Sequence, residues 1–337
     1  MIWISTAIGI FFLIFEKKLM GGSFGLVIAI SGLFFGIYLL VKGADYLVEG
    51  AVSIARRAGV SNLFIGLSLV AFGTSAPELA VSLTASAKGY GGVSISNVVG
   101  SNVANILLCL GLTALMMRVF VDESTFKVEI PFLLIVSVSF VAMLLRYPVP
   151  SVDWNDGIVL LGFFVIFLYY LYKMAKSDME TIEKDLNINI WKAVTMAIVG
   201  FVGVTIGGEI TVNTVVNIAE KLGLSRSLFA LTVVAVGTSL PEMLTSITAA
   251  KKGHHGVSVG NIVGSNIMNI LLIIGLSSIF GKKLTVDVKM YYVDMSFLLG
   301  SVILLWMMSY KRRLGKWQGL VFLALYASFI FFIIERG

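Results

Sequence analysis

Charge, cysteine, histidine and proline are all scarce in this 337-residue chain. Charged residues make up 13% of it, about half the share of a soluble domain. So few cannot cover a water-facing surface of ordinary size. The single cysteine, Cys109, excludes an intramolecular disulfide framework. The two histidines, His254 and His255, are neighbours in a polar connector, which makes solvated positions a better reading than a metal site. A net charge of +6 is no sign of nucleic-acid binding, because the basic residues sit in short connectors such as "ARR", "GKK" and "YKRR". That distribution orients membrane spans.

Apolar residues make up 58% of the chain, and they fall in blocks such as "IPFLLIVSVSFVAMLL" and "GIVLLGFFVIFLYYLY". Runs near twenty residues with few charges read as spanning helices. The pattern predicts an all-α polytopic membrane protein with spans at 24–55, 62–87, 93–116, 129–146, 154–173, 190–219, 226–250, 257–280, 289–310 and 316–335. Residues 1–23 form an N-terminal extension; the stretch "MIWISTAIGIFFLIF" reads as an extra short helix, with a start at Met20 as the competing reading. It lacks the basic start and small-residue cleavage site of a signal peptide. Two halves follow, 24–173 and 190–337, joined by a polar linker over 174–189 that is expected on the cytoplasmic side. The cluster Lys311, Arg312, Arg313 and Lys316 supports placing it there together with Arg56 and Arg57. Connectors of this length leave no room for an extramembrane catalytic or regulatory domain.

The halves share a repeat. Residues 43–112 align without a gap on 207–276, at a constant offset of 164 and with about half the positions identical. "AFGTSAPELAVS" returns as "AVGTSLPEMLTS", and "SNVVGSNVANILL" as "GNIVGSNIMNILL". Five spans separate the starts of the copies, an odd number, so the second copy is inverted in the membrane. Inverted repeats with discontinuous helices are an architecture of secondary transporters, with the site at the midplane between the halves.

Each copy keeps an acid in an apolar helix, Glu78 and Glu242. A carboxylate at the bilayer centre costs on the order of 3 kcal/mol or more, and such residues usually mark ion pathways. Neither helix core offers a Lys or Arg to neutralise it. Pro77 and Pro241 directly precede the acids, and a proline breaks or kinks the helix there. The break is expected to free carbonyls of Gly73 and Gly237 and to turn those of Ala71 and Ala235 outward. Such oxygens are tolerated at membrane depth only if buried in protein or lining a wet cavity. Thr74 and Thr238 lie one turn before the acids, with Ser75 and Ser239 beside them. In the second block Ser101 and Asn105, and likewise Ser265 and Asn269, share a helix face. Asn97 and Asn261 extend each stripe by one turn, where interhelical hydrogen bonding is the competing role. The inventory is carboxylate, hydroxyl, amide and carbonyl oxygen without sulfur or imidazole, which suits hard cations such as Ca²⁺ and Na⁺. The "GTS" serines have no histidine positioned to activate them, so no enzyme is expected.

At "GTSAPE", "GTSLPE", "SNVVGSN" and "GNIVGSN" the chain resembles the cation/calcium exchanger superfamily, most of all its short prokaryotic sodium/calcium exchangers. The resemblance implies ten helices, with the repeat helices enclosing the site while the first and sixth slide against them. It implies an electrogenic antiporter of a prokaryotic plasma membrane, with Na⁺ and Ca²⁺ as transported ions, near three to one, and no cofactor. The lipid bilayer is the expected environment, and neither nucleic acid nor an obligate protein partner is expected. Proton-coupled or potassium-dependent exchange on the same fold is the competing reading. Carried across position by position, the ligands are Ala71, Thr74, Ser75, Glu78, Ser101 and Asn105, then Ala235, Thr238, Ser239, Glu242, Ser265 and Asn269. Archaeal relatives carry Asp where this chain has Asn269, so this site is less acidic.

Overall fold

The computed structural model describes residues 25–146, 148–221, 237, 239–281, 283–286 and 288–336. Residues 1–24, and with them the expected short helix, lie outside the described residues, as does the first part of the span expected at 226–250. The described chain is almost wholly helical: α1 (Gly25–Ala58), α2 (Asn62–Thr74), α3 (Ala76–Ala87), α4 (Gly91–Met116), α5 (Thr125–Leu145), α6 (Trp154–Thr181), α7 (Ile190–Lys221), α8 (Leu240–Lys251), α9 (His255–Phe280), α10 (Val288–Met308) and α11 (Lys316–Arg336). Seven of these are long and apolar enough to cross a membrane, and the bent pair α2–α3 makes an eighth candidate.

Three boundaries differ from the sequence reading. α6 continues to Thr181, eight residues beyond the expected end, because its last two turns carry the exposed Lys176 and Glu180 and so fall outside an apolar run. The connector to α7 shortens accordingly to residues 182–189. α5 begins at Thr125, through a π-helical turn that periodicity does not register. His255 is the first residue of α9 rather than part of a free loop, and its ring packs edge-on against Phe120 at 5.0 Å.

Short strand pairs tie the connectors together. β1 (Val119–Phe120) pairs antiparallel with β4 (Arg313–Leu314), and β2 (Ser151–Val152) with β3 (Leu284–Thr285). The first joins the α4–α5 and α10–α11 connectors; the second joins the α5–α6 and α9–α10 connectors, at the opposite membrane face. The repeat offset carries one pair onto the other to within two residues, as an inverted duplication requires.

Burial ranks the helices. In α4 and α9, 83% of the most apolar window is buried, against 17% in α6. α4 and α9 therefore form the centre and α6 the lipid-facing wall. Beside this centre, α1 and α7 form a separate pair held by glycines. A Cβ placed on Gly43 would lie 2.6 Å from the Val204 nitrogen, and one on Gly207 would lie 2.6 Å from the Leu40 nitrogen. Gly36 meets Thr211, Gly200 meets Leu47, and Gly50 meets Ala197. As one index rises the other falls, so the helices run antiparallel with backbones almost in contact. Every contact of Gly43 and Gly36 has its repeat-related twin in Gly207 and Gly200. Small residues permit this approach where lipid supplies no hydrophobic drive.

Candidate cation site

The site begins at the first turns of α3 and α8. Proline at the second position of α3 has no N–H to give to the preceding turn, and α2 and α3 meet at a 47° bend. Ser75, at the bend, has φ −84° and ψ 4°; its counterpart Ser239 has φ −87° and ψ 2°. This bridge region of backbone space is sparsely used and common in active sites. Ser75 and Ser239 thus share one backbone shape, and each precedes a helix whose first turn carries the glutamate. One sequence expectation changes. The Ala71 carbonyl is not released, because it still accepts the Ser75 N–H at 3.0 Å. It also lies 3.5 Å from the hydroxyls of Thr74 and Ser265, so it is a shared acceptor at the break.

Ala235 and Thr238 lie outside the described residues. The other ten candidates, Ala71, Thr74, Ser75, Glu78, Ser101, Asn105, Ser239, Glu242, Ser265 and Asn269, are all at most 4% exposed. Contacts run between the copies as well as within them. Ser75 donates to Glu242 Oε1 at 3.2 Å, and Thr74 donates to Asn261 Oδ1 at 3.0 Å. Asn261 donates to the Glu242 carbonyl and to Ser246, as Asn97 does to the Glu78 carbonyl and to Ser82. Asn97 and Asn261 therefore act as interhelical clamps that fix the acid-bearing helices. Close packing of α9 on α2 brings Ser265 to Ala71: a Cβ on Gly264 would meet the Leu67 carbonyl at 2.8 Å.

The sequence reading missed Asn102 and Asn266, which cross-link α4 and α9. Asn102 donates to the Asn266 carbonyl at 3.2 Å, and Asn266 returns the bond to the Asn102 carbonyl at 3.3 Å. Their side-chain oxygens accept from Asn269 and Asn105 respectively, each at 3.0 Å. With its nitrogen so engaged, each ligand-candidate amide presents its oxygen to the other side. Asn269 Oδ1 is buried without a partner among the described residues, as are Glu242 Oε2, Ser101 Oγ and Ser239 Oγ. Buried oxygens are rarely left unpaired, and a hard cation is the natural group to satisfy several at once. Both copies also turn π-helical at these asparagines, over Ala104–Leu110 and Asn269–Ile274, a distortion frequent at functional sites. The repeated "GSN" shows that Asn102 and Asn266 are kept in both copies, but not that they meet. Replacing Asn266 with Ala frees the Asn105 amide to rotate. Calcium affinity is then expected to fall about 10- to 100-fold, as when a group orienting a metal ligand is lost; calcium titration by calorimetry measures it.

Among the described residues no three His, Cys, Asp or Glu side chains cluster as a metal site. Two pseudo-symmetric oxygen sets, one from each repeat, instead meet around the first turns of α3 and α8. That combination defines a multi-pass membrane transporter for small hard cations.

The chain belongs to the sodium/calcium exchanger family: residues 28–173 and 192–335 match the family described as sodium/calcium exchanger protein. It is 31% identical to the sodium/calcium exchanger MaX1 of Methanosarcina acetivorans, covering 88% of this chain and 96% of that one. It is 33% identical to the putative antiporter CaxA of Alkalimonas amylolytica, covering 89% and 97%. Among solved structures, the sodium-calcium exchanger NCX_Mj soaked with 10 mM Na⁺ and no Ca²⁺ superimposes with a TM-score of 0.78 at 34% identity, covering 90% of this chain and 97% of that one.

Proposed function

We propose that this protein exchanges Na⁺ for Ca²⁺ across a prokaryotic plasma membrane, with both ions competing for one oxygen site between the inverted repeats. The observation that carries the reading is the pair of hydrogen bonds between copies, Ser75 to Glu242 and Thr74 to Asn261, beside two acids, Glu78 and Glu242, each buried to within 1% of full coverage. Two carboxylates balance one divalent ion. Three sodium ions in the same oxygens leave one positive charge uncompensated, so three-to-one exchange moves one net charge per cycle. The proposed ligands are Thr74, Ser75, Glu78, Ser101 and Asn105 with Thr238, Ser239, Glu242, Ser265 and Asn269, together with the Ala71 and Ala235 carbonyls. What supports the set is the burial of its described members, the hydrogen bonds between copies and the unpartnered oxygens.

The test is ⁴⁵Ca²⁺ uptake into proteoliposomes loaded with Na⁺, K⁺ or choline at matched pH, with a pH gradient imposed in a parallel series. Uptake that requires internal Na⁺ and responds to voltage is expected. Uptake indifferent to Na⁺ but driven by the pH gradient would transfer the protein to proton-coupled exchange. A dependence on K⁺ alongside Na⁺ would identify potassium co-transport. Within the site, Asn269→Asp adds a third carboxylate and is expected to tighten calcium on the order of ten-fold, since ligand charge tunes affinity. It should also make binding fall more steeply with acid, because the new group must be deprotonated to bind. Unchanged calcium titrations would remove Asn269 from the ligand set.

A further inference from the structure

The two copies are alike in sequence but packed differently around the α1–α7 pair. α8 lies along α1: Leu240 and Leu244 pack into the cluster formed by Leu40, Ala44, Leu47 and Val48. The matching helix of the first copy, α3, makes no comparable contact with α7. A cavity of about 350 Å³ separates them, with Pro77 and Val81 on one wall and Gly208, Glu209 and Val212 on the other. Val81 is 40% exposed, whereas its repeat counterpart Thr245 is 0% exposed. The protein is therefore closed on the α8 side and open on the α3 side.

An ion-pair cluster secures the closed side. Lys252 follows α8 directly, and its Nζ lies 3.2 Å from Asp45 Oδ1 and 2.9 Å from Glu49 Oε1, both on α1. The repeat offset gives each member a counterpart. Lys252 corresponds to Lys88 after α3, Asp45 to Glu209, and Glu49 to Asn213. Lys88 is exposed at the end of α3, and Glu209 is exposed in the open cavity. Neither forms an ion pair among the described residues.

We propose that Lys252 and Lys88 form two alternating electrostatic latches. Lys252 holds α1 to α8 while the cavity beside α7 is open. When the inverted repeats exchange conformations, Lys88 engages Glu209 across the closing cavity, and Lys252 releases Asp45 and Glu49. The inference rests on the antiport reading for the existence of the second state; the first latch is present in this structure. None of these side chains belongs to the cation site, so their role is to position the moving helices. Exposed ion pairs are individually weak, as suits contacts that must open in every cycle. The latches are also unequal: Lys252 meets two carboxylates, and Lys88 would meet one carboxylate and the amide of Asn213. The imbalance favours the state seen here, open beside α3.

Alkylation of introduced cysteines reads the two sides separately. Val81→Cys and Thr245→Cys are made in the full chain in proteoliposomes, with the parent protein, whose Cys109 is buried, as the blank. Val81→Cys should react rapidly and Thr245→Cys slowly with a membrane-impermeant maleimide applied to both faces. Adding Lys252→Gln should slow the first and speed the second, so that the ratio of the two rates falls by about three- to ten-fold, the scale of a surface ion-pair cluster. Glu49→Asn, which makes the first latch resemble the second, should move both rates the same way by less. Lys252→Arg should leave them unchanged. Rates unaffected by Lys252→Gln would overturn the proposal. The second latch is tested by turnover of Lys88→Gln, Glu209→Gln and the double variant. Coupled residues give a double variant no slower than the slower single one, whereas additive losses would overturn the pairing. Labelling needs no sodium-driven flux. Latch behaviour without sodium/calcium exchange would therefore reject the ion assignment alone, and exchange without latch behaviour would reject the latch alone.

Discussion

Calcium exchange should fall by at least about 100-fold in Glu242→Gln and in Glu78→Gln, with the protein still folded. Loss of a group that merely orients a metal ligand costs roughly 10- to 100-fold, and here the lost group is one of the two carboxylates of the proposed site. Glutamine keeps the shape and the Oε1 acceptor, so the bond from Ser75 to residue 242 survives the substitution. Removing a buried charge also relieves a desolvation cost, so thermal stability should hold or rise. That pairing of effects separates a ligand from a packing residue, whose loss lowers activity and stability together. The measurements are sodium-dependent ⁴⁵Ca²⁺ flux and a melting curve on the same preparations. Calcium flux retained in both variants would sink the assignment of the two acids. Loss in one alone would mean that the copies contribute unequally despite their shared sequence.

The second large effect concerns folding. Gly43→Val and Gly207→Val should each lower stability by several kcal/mol, on the order of 3 or more, and by similar amounts. Overpacking a well-filled core typically costs about 1–3 kcal/mol. Here the obstruction is a backbone nitrogen 2.6 Å from the added carbon in both cases, which no rotamer change can clear. α1 and α7 would have to separate along their length. The two positions are related by the repeat, so unequal losses would contradict the symmetry of the seam. Gly300→Ala is the control: nothing lies within 4 Å of a Cβ there, and replacing a mid-helix glycine should stabilise by roughly 0.5–1 kcal/mol. Thermal unfolding followed by size exclusion in detergent ranks the three.

The membrane class, the duplication and the exchanger family were legible in the sequence because each rests on local or periodic information. Apolar blocks mark spans wherever lipid is the solvent, and a carboxylate kept twice in an oily helix has few explanations. Three features were not legible. The π-helical turns at Asn105 and Asn269 arise where α4 and α9 press together, and residue spacing does not encode that strain. Asn102 and Asn266 lie off the stripe shared by Ser101 and Asn105. Their importance comes from a contact between copies, which no reading of one helix supplies. The open and closed sides are likewise absent from a repeat that is half identical. A conformation belongs to the moment, whereas the sequence must serve both.

The glycine seam carries a consequence for the energetics of transport. The contacts of α1 with α7 map onto themselves under the dyad, whose axis passes between positions 41 and 42 of one helix and 205 and 206 of the other. A displacement of the pair toward one membrane face thus makes the same contacts as the opposite displacement, with the two helices trading places. The seam therefore supplies no ratchet. The stroke is reversible in the thermodynamic sense, and the sign of the flux is set by the cation concentrations and the voltage at the two faces. Reversing those forces should run the same machine backwards, and calcium would then be drawn in by a sodium gradient directed outward.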